Sequence, residues 1–241
     1  MACCGLTPYG RREWLAATAV AVVGCAALGV LAWRVGWLCL LPGVPIVLLW
    51  LWVVWFFRDP QRVVPDGPGL FVSPADGTVT DVTPVGADSP LGAEGVRIGV
   101  FMSIFDVHVN RAPCDGHVES VEHRDGVFLD ARKPEAAFRN ESTTIRLTHA
   151  LHGTDYPVVV RQVAGLIARR IVTDLREGQA VRRGERMGMI KFGSRLELLV
   201  PRALAGAVRV AVGDRAVAGR TVLVAALAGP SEGTHGQPTE T

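Results

Sequence analysis

A mainly β domain, a sandwich or flattened barrel, preceded by an N-terminal transmembrane helical hairpin is the fold class that the sequence predicts. Three observations carry it. Over residues 14–57 the only charged side chain is Arg34. After Arg58 the pattern changes to short β-rich runs separated by glycine, proline and aspartate, as in all-β sandwiches and barrels. No long helical period competes with those runs.

Arg34 divides the apolar stretch into two helices, about 14–33 and 37–57. At a rise of about 1.5 Å per residue, each is long enough to cross a hydrocarbon layer of about 30 Å. Trp14, Trp33, Trp37 and Trp55 fall near the expected interfaces, as an aromatic belt requires. Pro42 and Pro45 each remove a backbone donor, so the second segment either kinks or turns back within the layer. Arg11 and Arg12 precede the hairpin and Arg58 and Arg62 follow it, against Arg34 alone in the connection. Both flanks are therefore expected on the cytoplasmic side of the cell membrane, with the β domain beside them. A cleaved signal over residues 11–25 would put the domain outside, but the apolar run continues far past any cleavage point.

The remaining chain suits one domain with a substantial core, over residues 58–228. Its expected strands are 78–82, 96–102, 116–121, 143–147, 157–163, 167–172, 186–190, 196–200, 208–212 and 221–226. The Asp76-Gly77-Thr78-Val79 phrase and the Gly-x-x-Val-x-x-Gly-Glu spacing at 178–185 resemble hairpins of lipoyl and biotinyl carrier domains, which form flattened β barrels. That likeness raises the alternative of a membrane-tethered, non-catalytic β adaptor. The carrier lysine tip is missing, because Lys191 is followed by Phe192-Gly193-Ser194, and the long helical hairpin of such adaptors is missing too. Residues 229–241, rich in Gly, Pro, Ser and Thr, read as a disordered tail.

A formal net charge of +2 gives no support to nucleic acid as a partner, although a mild basic excess suits an anionic membrane surface. Of five cysteines, Cys3, Cys4, Cys25 and Cys39 lie in or beside the apolar region. Cys114 is alone in the β domain, so no disulfide framework exists there, and beside Pro113 and Asp115 it reads as a small turn residue. No zinc-ligand spacing is present, and no metal is expected.

Chemistry is expected at Gly193-Ser194. As an isolated pair this is turn composition. A serine hydroxyl directly after a glycine carbonyl can, however, attack its own backbone where the fold strains that bond, because glycine has no side chain to block the approach.

Three further segments favour the second reading: Ser73-Pro74-Ala75-Asp76-Gly77, Phe101 through Pro113 with its Phe-Asp-Val-His-Val-Asn-Arg core, and Ala164-Gly165-Leu166-Ile167-Ala168-Arg169-Arg170-Ile171-Val172. With the Phe-Gly-Ser segment they resemble the short form of the phosphatidylserine decarboxylase family, from about Pro60 to about Leu227. The resemblance implies a proenzyme that cleaves itself between Gly193 and Ser194. The products are a large chain, 1–193, and a small chain, 194–241, that stay together, with Ser194 converted to a covalent pyruvoyl cofactor. That group forms a Schiff base with the amine of a serine phospholipid, and phosphatidylserine leaves as phosphatidylethanolamine and carbon dioxide.

By the same resemblance Ser194, His108 and Asp76 form a catalytic relay, with His108 as base and Asp76 as its orienting partner. Long-form relatives carry a second histidine, the relay histidine, where this chain has Arg111, so that role does not transfer, and whether His108 serves both self-cleavage and decarboxylation stays open. Arg111, Arg169, Arg170 and Lys191 are candidate contacts for the lipid phosphate, and solvated strand-face charges are the alternative for each. Asn140-Glu141-Ser142 departs from the family's Asn-Glu-Arg. Histidines 117, 123, 149, 152 and 235 read as ordinary polar positions. Exposed strand edges favour a homodimer. A serine hydrolase is disfavoured, since Gly-x-Ser-x-Gly is absent around Ser194. Diacyl and ether-linked serine lipids stay open as substrates.

Overall fold

The computed structural model describes residues 5–133, 135–166, 170–191 and 193–226. Cys3, Cys4, Arg169, Phe192, His235 and the tail at 229–241 lie outside the described residues.

Helix α1, Arg11–Val35, follows a 3-10 turn at Pro8–Gly10, where the Thr7 hydroxyl accepts from the Tyr9 amide at 3.3 Å. Glu13 in its first turn and Arg34 in its last complement the helix dipole. The second apolar segment is not one α-helix over 37–57. It opens as a 3-10 turn, Trp37–Leu40, and becomes helix α2 only at Gly43–Phe56. Pro42 and Pro45 fall at the start of α2, where their missing N–H groups would have had no intrahelical partner anyway, so neither proline kinks a continuous helix. The two helices pack as a hairpin, with Trp50 Nε1 donating to the Thr18 hydroxyl at 3.0 Å. Val20, Val23, Val30, Leu48 and Leu49 point outward and are exposed. By length and composition both segments are sufficient to cross a membrane.

Fourteen strands follow among the described residues: β1 Leu70–Val72, β2 Gly77–Val85, β3 Gly95–Met102, β4 Val109–Arg111, β5 Gly116–Arg124, β6 Ser142–Leu151, β7 Thr154–Val163, β8 Ile171–Thr173, β9 Ala180–Val181, β10 Arg186–Ile190, β11 Ser194–Pro201, β12 Ala207–Val208, β13 Arg215–Ala216 and β14 Val222–Ala225. A short helix, α3 Ala136–Arg139, precedes β6. The principal sheet is a curled half-barrel in the order β13-β2-β3-β11-β7-β6-β5-β9. Two three-stranded sheets, β1-β14-β12 and β4-β10-β8, complete the mainly β fold that the sequence predicts.

Strand β11 lies in the interior of the principal sheet, antiparallel to β3 on one side and β7 on the other. Its alternation sorts the two faces. Leu196, Leu198 and Val200 join Ile98, Val100 and Met102 of β3, Val158 and Val160 of β7, and Phe71, Leu223 and Met187 from the small sheets in one core. Arg195 and Glu197 point the other way, into an ion network with Asp81, Arg97 and Arg161. Each charge there has an opposite neighbour, which buried charges require.

Of the expected strand 167–172, residues 167–169 lie outside the described residues and the last two belong to β8, while 208–212 forms a strand only at its first residue. Cys114 is buried at a bend, and burial holds its thiol well above the ordinary range, so it is a packing residue.

Candidate active site

The site is assembled where the start of β11, the bend before β4 and the end of α2 converge. Gly193, immediately before β11, has φ +68°, backbone that glycine adopts freely and a side chain would strain. Its carbonyl is packed so closely on Gly165 that a Cβ built there would stand 2.1 Å from the Gly193 oxygen. Ser194 pairs in register with Met102 and is fully buried on the core face. Its hydroxyl has no hydrogen-bond partner among the described residues. Leaving a buried hydroxyl unpaired costs about 1–3 kcal/mol, which marks the atom as held for something other than stability.

His108 is fully buried. Its Nδ1 lies 2.9 Å from the Asp106 carbonyl oxygen and its Nε2 lies 3.3 Å from the Gly193 amide nitrogen. One tautomer satisfies both contacts: Nδ1–H donates to Asp106, and Nε2 accepts from Gly193. Burial drives the imidazole pKa down to about 4, opposed by the Asp106 carbonyl and carboxylate and assisted by Arg58. The ring is therefore neutral near pH 7, with a lone pair directed at residue 193.

The helical hairpin closes this region. Phe56, the last residue of α2, stacks on the His108 imidazole with centroids 4.5 Å apart and planes inclined by 37°. Phe56, Phe57 and Met189 form their own buried cluster, with Tyr9, Trp14 and Trp52 against it. Glu13 of α1 forms an ion pair with Lys191, two residues before Gly193. Asp59, fully buried, takes Arg111 Nη2 at 2.6 Å and pairs with Arg186 as well.

Asp76 does not orient His108; the backbone carbonyl of Asp106 does. Asp76 Oδ2 accepts from Arg62 at 2.8 Å and Oδ1 from the Ala218 amide at 2.7 Å, which commits both oxygens away from the imidazole. Burial raises its carboxyl above the usual range, against the pull of Ala218 and Arg62. The resemblance implied Asp76 as the orienting partner of His108, whereas a local backbone oxygen two residues before His108 reaches Nδ1.

Among the candidate phosphate contacts, Arg111 is engaged by Asp59 and the Gly184 carbonyl, and Lys191 by Glu13. Arg170 is exposed. At the departure from the family pattern, Ser142 lies with its hydroxyl 3.5 Å from Arg161 Nη2. Asn140 beside it bonds both the Leu129 backbone and the Ala164 carbonyl, at 2.7 Å for the latter, so it pins the segment that abuts the Gly193 carbonyl.

Two polar residues near Ser194 escape sequence reasoning. Gln162, in register with Leu196, donates to Asn110 Oδ1 at 2.8 Å, and Asn110 Nδ2 lies 3.7 Å from Met102 Sδ. Both are fully buried, and Gln162 Oε1, like the Ser194 hydroxyl, has no partner among the described residues. The available signal is a polar residue on the inward phase of an apolar strand.

A pyruvoyl group at residue 194 fits this chemistry. The buried hydroxyl, the glycine-only backbone before it and a neutral imidazole on the Gly193 amide are what its formation from serine requires.

The model of the phosphatidylserine decarboxylase family matches residues 49–224. A phosphatidylserine decarboxylase proenzyme of Paramagnetospirillum magneticum is 43% identical over 219 residues, covering 90% of this chain and 86% of the relative. The protein of the same name from Oleidesulfovibrio alaskensis is 41% identical over 211 residues, covering 88% and 94%. That of Rhodopirellula baltica is 43% identical over 193 residues, covering 80% and 79%. On this agreement along most of its length, the chain belongs to the phosphatidylserine decarboxylase family.

Proposed function

We propose that this chain is a membrane-bound proenzyme that cleaves itself between Gly193 and Ser194 and then decarboxylates phosphatidylserine to phosphatidylethanolamine. The observation that carries this reading is the Ser194 hydroxyl, fully buried and unpartnered, directly after a glycine at φ +68° whose amide rests on His108 Nε2.

In the proposed self-cleavage, Ser194 Oγ attacks the Gly193 carbonyl carbon while His108 Nε2, released from the Gly193 amide, takes the hydroxyl proton. The C–N bond breaks and a C–O ester bond forms, with the proton passed to the freed amine of residue 194. Loss of the residue 194 Cα proton and rupture of its Cβ–O bond release Gly193 as a carboxylate. Uptake of water and loss of ammonia then leave a pyruvoyl group on the small chain, residues 194–241, beside the large chain, residues 1–193.

When present, that group supplies a ketone that draws electrons from the Cα–carboxylate bond of a serine headgroup. The chain's own residues supply the setting. His108, with Nδ1–H fixed on Asp106, presents Nε2 as the group that returns a proton to the headgroup carbon. Phe56 keeps bulk water off the imidazole, and a dry site favours conversion of a charged carboxylate to a neutral gas. Asp76, with Arg62 and Ala218, holds the segment before β2 against the β13 end of the sheet.

The domain division at about residues 57 and 228 belongs to this reading, with residues 1–57 as the anchor. Two apolar segments support insertion in a bacterial-type inner membrane, and the arginine distribution supports a cytoplasmic catalytic domain. The edge strands β13 and β9 offer surfaces for a homodimer.

The test is direct. Purified protein should run as two polypeptides, the smaller blocked at its amino terminus by a ketone that hydroxylamine or borohydride attacks, and membranes carrying it should convert phosphatidylserine to the amine lipid. Ser194→Ala should stay a single chain without activity. An intact wild-type chain that is fully active would refute the mechanism.

A further inference from the structure

The turn at residues 103–107 joins β3 to His108 and carries an exposed phenylalanine. Phe105 is 64% exposed, yet its turn is tightly fastened. The Asp106 carboxylate accepts from the Ser103 amide at 2.8 Å and the Ser103 hydroxyl at 2.7 Å, the Ser103 hydroxyl accepts from the Phe105 amide at 3.3 Å, and Arg215 donates to the other Asp106 oxygen at 2.6 Å. The turn is also tied to the end of α2. Arg58 donates to the Phe105 carbonyl at 2.7 Å and to the Trp55 carbonyl at 2.9 Å, and its guanidinium stacks over the Trp55 indole at 3.8 Å. The Phe105 and Trp55 rings lie 6.3 Å apart. An apolar ring this exposed and this firmly held is thus placed level with a half-exposed tryptophan at the last turn of the apolar hairpin.

We propose that Phe105 is an interfacial contact with the lipid bilayer: its ring enters the boundary between headgroups and acyl chains beside Trp55, and so sets His108 at headgroup depth. The inference rests on the membrane-bound reading above. Its argument is continuity of surface. Trp55 and Phe105 form one apolar edge, Arg58 spans them with its charge over the indole face, and aromatic rings with an adjacent arginine are the side chains that settle at the membrane boundary. The same turn delivers the Asp106 carbonyl to His108 Nδ1, so the depth of Phe105 and the position of the imidazole are fixed by one rigid unit. The partner is phospholipid, the source of the substrate itself.

The test compares Phe105→Glu, Phe105→Ala and Phe105→Trp in the full-length processed protein. Each is assayed on long-chain phosphatidylserine at varied surface fraction in phosphatidylcholine vesicles carrying the reconstituted protein. Each is also assayed in detergent on short-chain phosphatidylserine dissolved as monomers. Losing the transfer of one aromatic ring from water is worth about a factor of ten or more. The expected result for Phe105→Glu is a KM for vesicle-borne substrate raised about tenfold with kcat within twofold, normal turnover of the monomeric lipid, and complete self-cleavage. Phe105→Ala falls between, and Phe105→Trp retains the wild-type KM. Equal KM values for Phe105→Glu and wild type on vesicles overturn the proposal, as does an equal loss on both substrates, which assigns Phe105 to the fold or the site itself. Failure of the decarboxylase reading has a different signature, a wild-type protein that is neither cleaved nor active on either lipid.

Discussion

Phe56 and His108 stack at 4.5 Å between centroids, so the final residue of the second apolar helix is a wall of the imidazole's environment. Desolvation is the largest influence on that imidazole, and part of it comes from this ring. Phe56→Leu should therefore let water reach His108 and move its pKa upward from about 4 toward 6.5. The expected outcome is self-cleavage whose acid limb shifts up by about one unit or more. The check is a pH series of precursor disappearance for both proteins. An unchanged acid limb in a folded variant would assign the ring to packing alone.

In the wild type, self-cleavage should be flat near neutrality and fall only as pH approaches about 4, where His108 gains its proton. Stability follows the same group. The folded pKa is lowered, so between about pH 6.5 and 4 the unfolded chain binds more protons than the folded one, and stability falls as pH is lowered through that window. The contribution is fully present above pH 6.5 and amounts to up to about 3 kcal/mol. Denaturant titrations of Ser194→Ala at several pH values measure it, free of cleavage.

Gly165→Ala introduces a methyl group 2.1 Å from the Gly193 oxygen unless something moves. The backbone around the cleaved bond has to shift, and small misplacements of reacting atoms cost about a hundredfold in rate. Pulse-chase gels should show the precursor persisting at least that much longer, while circular dichroism reports a β fold like that of the parent.

Asp59→Asn leaves Arg111, with a side chain only 9% exposed, without its carboxylate, and removes a partner of Arg186. Breaking a buried pair from one side costs about 3–5 kcal/mol. Thermal unfolding should show a large loss of stability in the β domain, and Asp59→Asn combined with Arg111→Met should recover part of it.

The principal sheet was legible because its strands alternate strongly and end at glycine, proline or aspartate. Eight expected strands coincide with observed ones within a few residues. The short strands β1, β4, β9 and β13 were not legible, since two or three residues carry no period. The hairpin was legible from hydropathy, but the late start of α2 depended on how Pro42 and Pro45 are absorbed at a helix start. At the site, Gly193, Ser194 and His108 are singled out by their motifs, and the structure sets the Gly193 amide 3.3 Å from His108 Nε2. The partner of His108 was not readable, because a backbone carbonyl has no signature in a side-chain pattern. Phe56, Asn110 and Gln162 were hidden for another reason: each looks like an ordinary member of its own helix or strand until the fold sets Phe56 against His108 and joins Asn110 to Gln162.

Strand β11 begins at Ser194 and is laced to β3 and β7 along both flanks. Parting the backbone ahead of it therefore creates a free end in the middle of a woven fabric rather than at its hem. The two polypeptides of the proposed cleavage would be interlocked by the same ladders that folded the precursor. Pulling them apart would mean unravelling the whole sheet, so such a scission would be a one-way event, and a small chain made separately would have to find a slot that exists only while its neighbours stand open.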